Sequence, residues 1–122
     1  MLDETGMIKA FSDGIEAVGQ DDWVRFRSYL ADNITATVGD VRVATNPEQL
    51  VQSLTEAKTR GFTGQTLVSM AAHDNVLAVL YRNNRSDGPS SCGAGAVMFD
   101  HDGKICAIRT LSRAPAVRAP GT

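Results

Sequence analysis

From Thr63 to Arg113 the sequence switches repeatedly between β-forming runs and turn formers. "TGQTLVSMAAH", "VLAVLYRNN", "SSCGAGAVMF" and "KICAIRTLSR" are separated by "HDN", "RSDGPS" and "DHDG". Connections this short join antiparallel neighbours, because a parallel pair needs a crossover of a dozen or more residues. This half of the chain therefore reads as a long antiparallel meander.

The preceding half reads as helices around one hairpin. Met7, Phe11, Ile15 and Val18 recur at spacings of three and four, which predicts a helix over residues 3–19. Gly14 lies beside that stripe and suits a close contact. Asp21 or Asp22 can cap a second helix with Trp23, Phe26 and Leu30 on its apolar side, ending at "ADN". "ITATVGDVRVAT" is a β-branched hairpin turned at Gly39-Asp40. "NPEQLVQSLTEAKTRG" is a third helix: Asn46 caps it, Pro47 fits its first turn, and Gly61 fits its stop. Leu50, Val51 and Leu54 face inward. Three helices on one face of a curved antiparallel sheet make an α+β cone. Residues 1–113 read as one domain and the Pro- and Ala-rich residues 114–122 as a flexible tail.

If "DHDG" is the last hairpin turn, Phe99 pairs with Lys104. Ser91, Gly93, Gly95 and Val97 then share a face with Ser112, Thr110, Ile108 and Cys106. Cys92, Ala94, Ala96 and Met98 share the other with Leu111, Arg109, Ala107 and Ile105. The first face is small and mildly polar, the second mostly apolar. A one-sided sheet carries a charged, solvated face, and neither of these is one. Helices and a cavity are expected over the first, a second subunit over the other. The glycines fit two uses: tight backbone packing or a bulge, or space cleared for a guest. Space is the use expected here. A phosphate loop is a poor fit, because "CGAG" leads into a strand and no Lys-Ser/Thr follows.

The bulk numbers narrow the function classes. A length of 122 residues suits one domain, and a net charge of −2 provides no basic field for nucleic acid. No apolar run approaches the ~20 residues of a membrane span. The acidic start "MLDETGM" does not resemble a signal peptide. The expectation is a soluble cytoplasmic protein. In the predicted register Cys92 and Cys106 lie roughly 17 Å apart at ~3.3 Å per residue, so both should be free thiols. With no CxxC and no ligand cluster, no metal and no cofactor are expected.

Three phrases carry a family likeness: "DDWVRFRSYLADNITATV", "DNVLAVLYR" and "VMFDHDGKICAIRTLSR". Over roughly residues 5–113 the chain resembles the NTF2-like superfamily, in particular its SnoaL-like and ketosteroid-isomerase-like members. The Phe-x-x-x-Gly-Lys-Ile phrase of that family stands here as Phe99 to Ile105. The resemblance implies a cone-shaped α+β barrel with a deep pocket, and a homodimer through the outer sheet face. Isomerases of that type use a Tyr, an Asp base and a neutral Asp donor. The matching positions here fall near Gly14, near Val38 and at Gly95, so all three groups are missing. The related epoxide hydrolases need an Asp–Arg–Asp set and the cyclases an acidic base. The predicted strand interiors contain no Asp, Glu or His.

The reading that results is a small dimeric protein binding an apolar or mildly polar small molecule. Its pocket would use Trp23, Val38, Tyr81, Gly93, Gly95, Val97, Ile108 and Thr110. No catalytic residue is assigned. Tyr81 and Asn83 could orient a ligand, and Cys106 is read as inert packing. Arg82 and Arg109 fall on the outer face, where Arg109 suits a subunit contact. Two alternatives stay open. One is an isomerase, cyclase or hydrolase with a relocated acid or base, Asp40 or Tyr81. The other is an association module whose cavity is filled by its own side chains.

Overall fold

The computed structural model describes residues 2–112, so the tail expected at 114–122 lies outside the described residues. Helix α1 spans Glu4–Gly19. The Asp3 side chain accepts from the Gly6 N–H at 2.8 Å and caps it. Met7, Phe11 and Val18 of the predicted stripe are buried, with Gly14 buried beside them, while Ile15 is half-buried. Asp22 caps α2, Trp23–Arg27.

Helix α2 is shorter than the sequence suggests. Leu30 and the "ADN" after it are strand, not helix end: β1 spans Leu30–Val38. Pairing with the last described strand decides this, since Leu30 lies opposite Ile105 and the Ile105 N–H donates to the Tyr29 carbonyl at 2.8 Å. A tertiary ladder overrides the local helical pattern there.

Strand β2, Val41–Ala44, closes a hairpin with β1 across Gly39, whose φ of +59° is the left-handed region that glycine tolerates. Helix α3 spans Pro47–Thr59, with Asn46 accepting from the Gln49 N–H at 2.9 Å as its cap. The chain then runs through β3 (Phe62–His73), β4 (Val76–Arg85), β5 (Ser91–Phe99) and β6 (Ile105–Ser112). The strand order is β2-β1-β6-β5-β4-β3. The meander is antiparallel as predicted, and β1 joins β6 in parallel. Ladder irregularities at Thr63, Val68 and Cys106 bend the sheet. Leu77, Val79, Tyr81, Val97, Phe99 and Ile105 bury its concave side under the helices. Among the described residues no helix is long and apolar enough to cross a membrane.

The last hairpin departs from the predicted register. Asp100 organises the turn: its side chain accepts from the Asp102 and Lys104 N–H groups, both at 2.9 Å. Phe99 then pairs with Ile105, Cys106 is bulged out, and Met98 pairs with Ala107. Gly95 lies opposite Thr110 and Gly93 opposite Ser112, two residues further along than expected. An even offset leaves each residue on its expected face. The bulge exchanges one pair: Ile105 is buried inside, while Cys106 sits half-buried at the irregularity.

Candidate functional site

The cone encloses a cavity of about 610 Å³. Phe11, Ile15 and Val18 of α1 and Leu50, Leu54 and Ala57 of α3 form its helical wall. Val79, Tyr81, Val97, Ile105 and Ile108 form its sheet floor, and Phe26 and Phe62 add to its lining. These side chains come inward because they occupy alternate strand positions or the α1 stripe. Gln65, Asn83, Arg85 and Ser91 bring polar groups from neighbouring ends of β3, β4 and β5, and Thr37, Ser53 and Thr110 add hydroxyls from β1, α3 and β6. The Gln65 side-chain Nε2 donates to the Asn83 side-chain Oδ1 at 2.9 Å. Among the described residues lining the cavity, none is Asp, Glu or His, and Arg85 alone is charged.

Of the eight residues predicted to build the pocket, the structure brings together Val38, Tyr81, Val97, Ile108 and Thr110. Trp23, Gly93 and Gly95 do not line it. Trp23 lies at the α1–α2 corner, edge-on to Phe26 at 6.1 Å between centroids. The Lys58 ammonium sits 5.5 Å from its ring centroid and pairs with Asp21 at 2.7 Å. That corner is a strut between α1 and α3.

The glycines are accounted for by close packing. A Cβ at Gly93 would lie 2.4 Å from the Tyr81 ring, which crosses over it from the neighbouring strand. A Cβ at Gly95 would lie 2.6 Å from the Arg109 carbonyl oxygen. The space is occupied by this chain, and the first glycine serves the cavity only by seating Tyr81. Tyr81, 4% exposed, is thereby fixed as part of the floor.

The other candidates separate clearly. Asp40 is exposed in the β1–β2 turn and does not line the cavity. Burial pushes the Cys106 thiol above its ordinary range, with the Asp100 charge adding to the effect. That is the opposite of an activated thiol. Both cysteines are free, as expected. Arg82 and Arg109 are exposed on the outer face, each one strand position from an inward residue. A separate polar cluster lies outside the cavity, where Tyr29 donates to Asp13 and Arg25 pairs with Asp13 at 3.5 Å and Glu16 at 3.0 Å. The bond to Asp13 raises the Tyr29 hydroxyl pKa. No group of three or more His, Cys, Asp or Glu among the described residues is placed to hold a metal.

Sequence reasoning passes over Gln65 and Arg85. Both stand near the ends of their strands, where a polar residue reads as ordinary solvated edge. Asn83, two residues before Arg85 and therefore on the same side of β4, is the available pointer.

No family model and no curated protein matches the chain. Solved structures do. One from Methylobium petroleophilum, a protein of unknown function with a cystatin-like fold, superposes with a TM-score of 0.83 at 16% identity, over 99% of this chain and 84% of that one. An NTF2-like protein of unknown function from Cytophaga hutchinsonii gives 0.74 at 13% identity, over 87% and 88%. An LEH-like epoxide hydrolase of M. tuberculosis gives 0.73 at 20% identity, over 88% and 83%. Identities this low speak to architecture, and with the strand order and helix placement above they show that this chain has the NTF2-like fold.

Proposed function

We propose that the protein binds an apolar small molecule with one polar end inside the cone. The cavity supports this reading: about 610 Å³ falls inside the ~300–1,000 Å³ usual for small-molecule sites. An apolar floor with Gln65, Asn83 and Ser91 on neighbouring strand ends suits a guest whose polar head lies toward them. General acid–base work needs a titratable group within reach of the substrate. The lining carries no carboxylate or imidazole among the described residues, which favours binding over the isomerase, hydrolase or cyclase reading. A chain that filled its own cone would have no such volume, which counts against the pure association module.

The outer face is assigned to a second copy of the chain. Val68, Leu80, Met98 and Leu111 are exposed there around Ala94 and Ala96, an apolar surface of the kind that associates. Two free thiols fit a reducing compartment such as the cytoplasm.

Nile red titration tests the binding reading. Saturable fluorescence enhancement is expected, at least tenfold weaker in Ala57→Phe, which places a ring in the cavity. Native mass spectrometry adds subunit count and any retained molecule. Binding unaltered by the filled cavity would place the dye elsewhere and remove the reading.

A further inference from the structure

Arg85 is the one charged side chain among the described residues that line the cavity, and it already holds a carboxylate. Its Nε donates to Asp87 Oδ1 at 2.9 Å and its Nη2 to Oδ2 at 3.2 Å. Two parallel bonds from one edge of the guanidinium are the fork geometry by which arginine recognises carboxylates. The same Nη2 donates to the Arg60 carbonyl, which fixes the fork against the end of α3. The carboxylate lies over Gly61, where a Cβ would come within 2.6 Å of it. Gly61 thus leaves a seat shaped for a carboxylate beside the fork. Asp87 fills that seat from only two residues away, on an exposed loop, with its side chain 56% exposed. A pair this exposed is screened by water and salt, which leaves the fork open to a competing carboxylate.

We propose that Arg85 receives the head group of the guest, that the guest is an apolar carboxylic acid, and that Asp87 holds the guanidinium until the guest displaces it. The proposal deepens the binding reading above and rests on it. No Asp or Glu lines the cavity among the described residues, so the carboxylate an acid head must displace at the fork is that of Asp87. Its chain would run from Arg85, past the Gln65–Asn83 amide pair, onto the floor formed by Tyr81 and Val79. A neutral head would be served by the amides alone and would ignore Arg85.

The test compares cis-parinaric acid with its methyl ester by fluorescence titration of the whole protein. The acid is expected to bind at least tenfold tighter than the ester. Arg85→Met should remove the acid's advantage over the ester, with the circular dichroism spectrum and urea midpoint checked for folding. Arg85→Lys keeps the charge without the fork and should fall between. Asp87→Asn should tighten the acid severalfold, because the competing carboxylate loses its charge. Equal binding of acid and ester would overturn the head-group assignment while leaving the binding function standing. An acid preference that survives Arg85→Met, or that Asp87→Asn weakens, would also overturn it. Binding of neither probe would remove both readings together.

Discussion

Gly93 and Gly95 point to the inner side of β5, and Ala94 and Ala96, in the same stretch, to the outer side. All four are small, for different reasons. On the inner side smallness is forced by neighbours already in place, the Tyr81 ring and the Arg109 carbonyl. On the outer side exposed Leu80 and Leu111 flank Ala94 in the same cross-strand row, and the row opens outward. A small residue in a strand therefore reports crowding or vacancy according to what lies opposite. That information sits in the pairing and not in the residue itself.

The largest contrast between the faces should appear on truncation. Phe99 is buried inside at 1% exposure, so Phe99→Ala should cost about 3–5 kcal/mol in urea unfolding. Leu111→Ala on the outer side should cost under about 0.5 kcal/mol at concentrations where the chain is monomeric. Comparable losses would erase the distinction. Next in size is Gly93→Val, expected to cost about 2–3 kcal/mol through the clash with Tyr81. Adding Tyr81→Leu should return part of that loss, and a double-mutant cycle with no coupling would show that the ring is not the obstacle. Smaller again, Leu80→Glu should weaken self-association about tenfold by sedimentation while leaving single-chain unfolding within about 0.5 kcal/mol. Unchanged sedimentation would count against the proposed pairing of two copies through this face. The finest contrast is chemical. Because the Cys106 pKa is raised, less of it is thiolate at any given pH, so iodoacetamide should modify it severalfold more slowly than exposed Cys92 near pH 8. Equal rates in the folded protein would contradict that burial.

The elements that local chemistry determines are legible in the sequence. Asn46-Pro47 announces α3, Asp3 precedes the α1 stripe, and the turn formers mark each end of the meander. Leu30 misleads because its helical spacing is a local signal and its pairing with Ile105 is remote. The bulge at Cys106 follows from how Asp100 ties the turn, a hydrogen-bond choice that composition does not reveal. Face assignments outlast that shift because the offset is even, whereas cross-strand partners do not. The same limit applies to the site: Val38, Tyr81, Val97, Ile108 and Thr110 follow from alternation and likeness. Arg85 requires knowing that the end of β4 reaches the cavity.

The parallel seam between β1 and β6 has a kinetic consequence. It joins β1, made before the other strands of the sheet, to β6, the last strand among the described residues, with Leu30 meeting Ile105. Until that late strand arrives, the first hairpin has no partner across the sheet and its ladder edge stays open. Closing so long a loop is entropically slow. Nascent chains of this protein should therefore spend their vulnerable interval with β1 bare, the period in which a chaperone or a stray strand would find them.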